Sequence, residues 1–372
     1  MKEENMQEDF GEDVPTPGKK KKWLLVLVAC VLAAVLFIGG YLLRGWTDPP
    51  QTIAPTMSPI QQAVTQFSPT ITGEPESNRL IRIGFAQCDL IESDRRKANT
   101  MSIQNALNTA NGYELIVADG QNDHDIQLLN VAGFIQQGAD YIVIAPVQEN
   151  GWDAVLQQAK GAGIPVIFVD RTVNADDDLY VTWIGSDFKA GGIKAMEWLE
   201  SFIDSNPVKA VYLQGVLGSL PQVGRSVAFD VACVANGWEN LSGMSVDGDA
   251  AQAKEIVADW LEQFPDLNVV IFEDDNMSSA TIQAIEEAGQ MAGGNDGITI
   301  ISFDANRRSL QLALDTEKIN CLVESNPLQG PYVADVIQKL EAGETIPKTI
   351  FVDDAVFDWR GLTQTIIDAR TY

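Results

Sequence analysis

Histidine is nearly absent from this chain. His124 is the single histidine among 372 residues, so no Ser-His or Cys-His pair stands out as a catalytic dyad. Neither a phosphate-binding G-x-x-x-x-G-K-[ST] loop nor a metalloprotease H-E-x-x-H helix occurs. His124 itself, in "GQNDHD", is interpreted as a loop or helix-start residue. The sequence therefore gives little support to an enzyme, and no cofactor is expected.

Cysteine is also scarce, and its spacing does not fit a metal site. The four cysteines, Cys30, Cys88, Cys233 and Cys321, form no C-x-x-C pair. Cys30 lies in an apolar run, so at least one of the other three stays free if any disulfide forms. Cys88 and Cys321 stand at strand ends and are interpreted as ordinary core residues.

Acidic residues outnumber basic residues by about two to one. The chain has 25 Lys and Arg against 52 Asp and Glu, a net charge of −27. This balance disfavours a nucleic-acid partner, because phosphate binding requires a basic face. It suits a soluble domain that faces the outside of a cell.

Long apolar runs are missing except near the N-terminus. Trp23–Leu43 contains no charged residue and would span about 31 Å as a helix, enough for a single-pass membrane anchor. Lys19–Lys22 precede it and only Arg44 follows closely, so residues 1–22 are predicted to be a disordered tail on the cytoplasmic side. Two alternatives stay open. One is a cleaved signal peptide, and the other is a lipoprotein in which Cys30, in the lipobox-like "LVAC", carries the lipid.

A segment of different composition follows the apolar run. Residues 44–78 are rich in proline, serine and threonine. Such a composition cannot bury a core and is typical of an extended stalk. A folded domain is then predicted over residues 79–358, on the extracytoplasmic side of the membrane.

Within the folded domain, strand-like and helix-like runs alternate. Strands separated by helices of about 10–20 residues predict βαβ units and parallel sheets, which is an α/β fold. The length of the domain favours two lobes over one open sheet, with Trp183–Asp187 as a crossover between them. The predicted strands are "LIRIGFAQ", "YELIVADG", "ADYIVIAP", "IPVIFVD", "KAVYLQG", "LNVVIFEDD", "GITIISFDAN" and "NCLVESNP".

Charged side chains stand where nearly every predicted strand ends. In "IPVIFVDRTV" the apolar run Val166–Val169 stops at Asp170 and Arg171. A surface salt bridge, at about 0–1 kcal/mol, would explain one such pair. The carboxyl ends of parallel strands line one crevice in α/β proteins, so the repetition in both halves predicts a ligand site between the lobes.

Several stretches resemble one family, the periplasmic sugar-binding proteins of the ribose/galactose class, and most of all the galactofuranose-binding proteins of bacterial ABC transporters. The resemblance covers residues 80–357. It implies two Rossmann-like lobes, joined by a three-crossover hinge that closes on a ligand. Lobe one would comprise residues 79–187 and 326–354, and lobe two residues 188–325 and the C-terminal tail. The matching stretches are "GFAQ", "ADGQND", "IAPVQENGWDAVLQQAKGAGIPVIFVDR", "GRSVAF", "DDNMSSATIQAIEEAG", "ISFDA" and "VESNP".

The resemblance also implies a set of ligand-binding residues. Asp170 and Arg171 match a pair that hydrogen-bonds sugar hydroxyls, and Arg225 matches an arginine from the second lobe. Asp94 departs from the pattern, because the galactofuranose binder has an aromatic residue there. The implied set is Asp94, Arg95, Asp170, Arg171, Arg225, Asp274, Asp304 and Glu324.

The chemistry of this set suits a sugar. A hydroxyl both donates and accepts, and a hydrogen bond to a charged group contributes about 1.5–3 kcal/mol. Trp152 and Trp183 are interpreted as packing residues unless one of them supplies the missing aromatic contact. The acidic balance of the set leaves room for a ligand amino group or a bound cation. Glycoside hydrolysis by paired carboxylates would depend on their separation, which a sequence does not give.

Two functions remain open. The first is the membrane-tethered substrate-binding component of a sugar ABC importer, which delivers a monosaccharide to permease subunits. The second is a sugar-sensing ectodomain that partners a histidine kinase or a chemoreceptor. The anchor and the stalk are compatible with both. The chain carries no kinase or methyl-accepting domain of its own, which favours import.

Overall fold

The structure, a computed structural model, describes residues 79–90, 93–203, 207–246 and 248–372. The predicted cytoplasmic tail, the anchor at residues 23–43, the stalk and Cys30 lie outside the described residues. In the described part of the chain, no helix combines the length and the apolarity that crossing a membrane requires.

Strands form where short apolar runs occur. Tyr141–Ile144 and Val166–Val169 are buried at every position, as expected for parallel strands that are covered on both faces. The strands of the described residues are β1 (Ile81–Gln87), β2 (Tyr113–Asp119), β3 (Tyr141–Ile144), β4 (Val166–Val169), β5 (Thr182–Gly185), β6 (Lys209–Gln214), β7 (Glu239–Ser245), β8 (Val269–Phe272), β9 (Thr299–Asp304), β10 (Cys321–Glu324), β11 (Thr349–Phe351) and β12 (Val356–Asp358).

Helices follow most of the strands, and several begin at a side-chain cap. The carboxylate of Asp123 accepts from the N–H groups of Asp125 and Ile126, and that of Asp187 accepts from Ala190. Such caps satisfy donors that the first turn leaves free. The α-helices of the described residues are α1 (Asp94–Ala106), α2 (His124–Gln136), α3 (Asp153–Gly161), α4 (Phe188–Phe202), α5 (Leu220–Asn236), α6 (Ala250–Gln263), α7 (Ser278–Glu287), α8 (Arg307–Thr316), α9 (Gly330–Glu341) and α10 (Gln364–Asp368).

The strands assemble into two six-stranded sheets. One has the order β11-β5-β4-β3-β1-β2, and the other β12-β10-β9-β8-β6-β7. Every pair of neighbours is parallel except β10 and β12, which are antiparallel. Apolar clusters lie against each sheet, with Phe85 and Phe168 in the first lobe and Phe272 and Phe303 in the second. The prediction of two α/β lobes with parallel sheets is confirmed.

Four strands were not among those predicted: β5, β7, β11 and β12. The strand β7 is polar and lies at a sheet edge, where its residues are half-buried or exposed. The strands β11 and β12 are three residues long and also lie at edges. The strand β5 overlaps Trp183–Asp187, the predicted crossover, and the chain leaves the first sheet directly after it. None of the four carries the long apolar run by which a buried strand is recognised.

In the described residues, the chain passes between the two sheets after β5, after β10 and after β11. The first passage follows Gly185, and α4 then packs against β10 and α5 of the other lobe. After the second passage, α9 packs against α1. The carboxyl ends of both sets of parallel strands therefore face the junction of the lobes.

Candidate functional site

A cavity lies between the strand ends of the two lobes. Its volume is about 290 Å³, close to the lower end of the range of small-molecule sites, about 300–1,000 Å³. Lobe one contributes the loops after β3 and β4 and the start of α1. Lobe two contributes the loops after β6, β8 and β9. Six of the predicted residues line this cavity, namely Arg95, Asp170, Arg171, Arg225, Asp274 and Asp304.

Asp170 is the carboxylate with which two arginines of the lobe-one wall pair. It follows β4, is 5% exposed and has a positive φ of 69°. One carboxylate oxygen lies 2.6 Å from Nη1 of Arg95, and the other lies 2.7 Å from Nη1 of Arg96. Burial would raise the pKa of Asp170, but Arg95, Arg96 and Arg171 outweigh it and hold the pKa well below its usual range. The carboxylate is therefore ionised at neutral pH.

The two arginines reach Asp170 because they lie in the first turn of α1. The hydroxyl of Ser93 caps this helix by accepting from the N–H of Arg96 at 3.2 Å. Asp94 lies on the other side of the turn, where its side chain is 83% exposed and pairs with Lys97 at 3.0 Å. The structure thus does not bring Asp94 into the cavity. It brings in Arg96, which sequence reasoning missed although it is the second arginine of "DRRK".

Arg171 is exposed at the rim of the cavity and does not supply the ion pair expected with its neighbour. Its Nη1 donates to the carbonyl oxygen of Val147 at 2.8 Å, whereas both oxygens of Asp170 face the arginines of α1. Asp170 and Arg171 are therefore adjacent in the sequence but make separate contacts in the lobe-one wall of the cavity.

Arg225 organises the lobe-two wall. It lies on α5, is 4% exposed, and donates to the carbonyl oxygen of Glu273 at 2.9 Å and to Oγ of Ser325 at 2.8 Å. Its guanidinium also lies 3.3 Å from a carboxylate oxygen of Asp304. Its Cζ lies 4.3 Å from the centroid of the Phe303 ring, a distance at which a cation is attracted to an aromatic face. These contacts fix the direction of the guanidinium before any ligand arrives.

Glycines allow α5 to approach α4 closely enough to place Arg225. A Cβ on Gly192 would come within 3.0 Å of the Cα of Arg225, and a Cβ on Gly224 within 2.9 Å of the backbone nitrogen of Lys189. Phe188, at the start of α4, lies 5.4 Å from the same guanidinium and lines the cavity. Phe188 is an aromatic wall residue that the sequence did not single out.

Carboxylates collect on the lobe-two side. Burial, followed by the charge of Asp304, raises the pKa of Asp274 to about 6. The same two causes raise the pKa of Asp275 well above its usual value. Burial raises the pKa of Glu273, whose side chain accepts from the hydroxyl of Tyr212 at 2.7 Å and the N–H of Gly215 at 2.9 Å. This wall therefore gathers more carboxyl groups than cations, and burial shifts several of them toward the protonated form.

Three of these carboxylates lie near enough to one another to hold a cation. Asp274, Asp275 and Asp304 each have a ligand oxygen within 4.8 Å of the others. Asp275, however, already accepts from the N–H of Asn306 at 2.7 Å and from its side-chain amide at 2.6 Å. Both oxygens of Asp275 thus already join the loop after β8 to Asn306.

Glu324 ends β10 but lies behind the cavity wall, where it is 2% exposed. One oxygen accepts from Nη1 of Arg370 at 2.6 Å and from the hydroxyl of Tyr372. The other accepts from the N–H of Ala355 at 2.8 Å. Both oxygens are engaged by protein groups, so the structure places Glu324 in a supporting position and not among the cavity-lining residues.

Trp152 and Trp183 are both buried in the packing of lobe one. The indole N–H of Trp152 donates to the carbonyl oxygen of Gln148 at 2.8 Å. That of Trp183 donates to the carbonyl oxygen of Asp170 at 3.2 Å. Trp183 therefore supports the turn that presents Asp170, and neither ring lines the described cavity.

The walls combine charged donors and charged acceptors on two separate lobes, which is the arrangement of a cleft for a small polar molecule. The model of the periplasmic binding protein domain matches residues 99–345. The chain belongs to this family. The family implies an extracytoplasmic location for the domain.

Three relatives of this periplasmic binding protein are informative. The galactofuranose-binding protein YtfQ of Escherichia coli is 30% identical over 275 residues, covering 73% of this chain and 85% of that protein. A Mycobacterium smegmatis structure in complex with β-D-fucofuranose is 37% identical, with a TM-score of 0.64, and covers 78% of this chain and 93% of that one. The periplasmic binding component of the arabinose ABC transporter from Shewanella sp. ANA-3, bound to α- and β-L-arabinofuranose, is 31% identical, with a TM-score of 0.65, and covers 75% and 92%.

Proposed function

We propose that this protein is the substrate-binding component of a sugar ABC importer and that its cleft closes on a monosaccharide without chemical turnover. The observation that carries the proposal is the pairing of two charged walls across one cavity, Asp170 with its arginines on lobe one and Arg225 with its carboxylates on lobe two. Sugar hydroxyls can donate to one wall and accept from the other. The Shewanella relative, a named component of an ABC transporter, supports the importer role.

The sugar is proposed to be a furanose. The three relatives are described with galactofuranose, β-D-fucofuranose and L-arabinofuranose, which share a five-membered ring and differ in their substituents. A cavity of about 290 Å³ fits a single sugar ring better than an oligosaccharide. Phe188 is proposed to lie against the apolar edge of the ring, since it is the aromatic residue of the described cavity lining.

The contacts to the sugar are assigned from the geometry of the walls. Arg95 and Arg171 are proposed to donate to sugar oxygens, because both line the cavity and keep donors that are not used by their protein partners. Asp274 and Asp304 are proposed to accept from hydroxyls. Asp170 orients Arg95 and offers its remaining lone pairs to the same sugar.

The full-length protein is expected to gain thermal stability from at least one sugar of a panel. The panel consists of D-galactose, D-fucose, L-arabinose, D-ribose and D-fructose. A ligand that binds only the folded state at one hundred times its Kd adds about 2.7 kcal/mol to the free energy of unfolding. Differential scanning fluorimetry measures the shift, and chromatography of the incubated sugar measures turnover.

A polyol of similar size, such as sorbitol, is the control for non-specific stabilisation. A shift that sorbitol reproduces, or no shift with any sugar of the panel, would remove the support for the proposed function. Steady conversion of a sugar or a glycoside into product would contradict the proposal of binding without turnover and would indicate an enzyme.

Membrane tethering through residues 23–43 is also proposed, on the strength of the uncharged run and the lysines before it. The binding domain would then lie outside the cytoplasm, tethered through residues 44–78. A reporter fused after Tyr372 that works only outside the cytoplasm is expected to be active. The matched reporter that works only inside should be silent, and the reverse pattern would contradict the topology.

A further inference from the structure

The last residues of the chain return to the back of the cleft. After β12 come a short 3-10 helix at Trp359–Gly361 and α10. Arg370 and Tyr372 follow, and each is 6% exposed. Residues 359–372 are called the arm below. Two large polar side chains are buried at its end, and burial of such groups requires polar partners.

Arg370 joins the ends of two strands of the lobe-two sheet. Its Nη1 donates to Glu324 at the end of β10, at 2.6 Å, and its Nη2 donates to the carbonyl oxygen of Ala305, just after β9, at 3.1 Å. Its guanidinium lies 4.8 Å from the ring of Phe357 and 4.7 Å from the ring of Tyr372. One planar cation thus bridges two neighbouring strand ends through two separate nitrogens, a geometry that the single nitrogen of a lysine does not reproduce.

Tyr372 adds two more connections. Its hydroxyl donates to the same oxygen of Glu324 that Arg370 uses. Its carbonyl oxygen accepts from the N–H of Arg307 at 2.7 Å, so the arm also holds the start of α8. Burial and the charge of Glu324 raise the pKa of Tyr372 well above its usual value, which keeps the hydroxyl a donor.

The turn that the arm holds carries part of the cleft wall. Asp304 and Ala305 are consecutive non-glycine residues with positive φ, 82° and 51°. Such backbone persists only where its surroundings fix it. Asp304 lines the cavity and meets Arg225. Ser325, which also meets Arg225, directly follows Glu324.

We propose that Arg370 and Tyr372 are positioning residues of the cleft, which hold Asp304 and Ser325 in the places where they orient Arg225 and meet the ligand. The proposal rests on the proposed function, since it concerns how the same cleft binds its sugar. Neither residue lines the described cavity. They act through Glu324 and Ala305, so Glu324 enters the site as the anchor of the arm and not as a ligand contact.

The test uses two full-length variants, Arg370→Lys and Tyr372→Phe, and isothermal titration with the five sugars of the panel above. Arg370→Lys keeps the charge but loses the bridge between Glu324 and Ala305. Tyr372→Phe keeps the ring and loses the hydroxyl. Each variant is expected to raise the Kd of the sugar that binds the wild type by about tenfold, with a change in Tm of no more than a few degrees. The matched control is Arg360→Lys, an exposed arginine of the same arm that pairs with Asp358 and should bind like the wild type.

A second readout needs no sugar. Amide hydrogen exchange over residues 304–307 is expected to be several-fold faster in Arg370→Lys than in Arg360→Lys, because the turn loses its bridge. A Kd within twofold of the wild type in both arm variants would overturn the proposal, even if Tm fell, since the arm would then only stabilise the fold. If none of the five panel sugars binds the wild type, it is the proposed function that fails. In that case, unchanged amide hydrogen exchange over residues 304–307 in Arg370→Lys would be enough to reject the positioning role.

Discussion

Replacing Asp170 by asparagine is expected to weaken sugar binding by at least about one hundredfold and to lower the melting temperature. Asparagine keeps the shape of the side chain and tolerates the positive φ at this position, so the change isolates the charge. Arg95 and Arg96 lose their common counter-ion at the cavity wall. Breaking such a buried pair costs about 3–5 kcal/mol. Each 1.4 kcal/mol of this cost that is lost from the binding free energy raises the Kd tenfold.

The matched control for Asp170→Asn is Asp94→Asn. Asp94 adjoins Arg95 in the sequence, but its side chain is exposed and pairs with Lys97. It should bind sugar within about threefold of the wild type, because an exposed ion pair contributes about 0–1 kcal/mol. Equal losses in the two variants, or an Asp170→Asn protein with wild-type affinity, would show that the lobe-one wall does not hold the sugar.

Replacing Arg225 by methionine is the second change with a large expected effect. Methionine keeps an unbranched stem beside Phe188 and Phe303 but removes the cation that balances Glu273, Asp274 and Asp304. We expect a loss of affinity of at least about one hundredfold at pH 8. Calorimetric titration measures it, with Arg308→Met, an exposed arginine of the same lobe, as the control.

The stability of Arg225→Met should depend on pH in a defined direction. Burial already raises the pKa of Asp274 to about 6 in the folded protein, and Arg225 opposes that rise. A raised carboxyl pKa destabilises the folded state as pH increases from the unfolded value, near 4, through the folded value, near 6. The deficit of the variant should therefore be smaller at pH 4, where only the hydrogen bonds to Glu273 and Ser325 are lost, and largest above pH 7. A deficit that does not vary between pH 4 and pH 8 would mean that Arg225 does not balance these carboxylates.

Much of the fold could be predicted from the sequence, because buried parallel strands can be recognised as uninterrupted apolar runs. Val166–Val169 and Val269–Phe272 could be recognised in this way, and the charges directly after them indicated the cleft. Short edge strands gave no such signal. The polar strand β7 and the three-residue strands β11 and β12 depend on pairing with neighbours that are distant in the sequence.

The candidate site was harder to predict because side-chain direction depends on local backbone. Asp94 and Arg95 are adjacent, yet the first turn of α1 sends one to solvent and the other to Asp170. Asp170 and Arg171 are also adjacent, yet Asp170 faces Arg95 and Arg96 whereas Arg171 donates to the carbonyl oxygen of Val147. Glu324 stands at a strand end like the ligand-facing carboxylates, but the arm, 46 residues further on, occupies its oxygens. No local pattern encodes contacts at that separation.

In the proposed complex, one sugar bridges Asp170 and its arginines on lobe one to Arg225 and its carboxylates on lobe two. A crystal structure of the protein with the panel sugar that gives the largest thermal shift tests this most directly. We expect one furanose ring between the lobes, with hydroxyls within hydrogen-bonding distance of Arg95 and Asp170 on one side and of Asp304 on the other. A sugar that contacts one lobe only, or that lies outside this cavity, would contradict it.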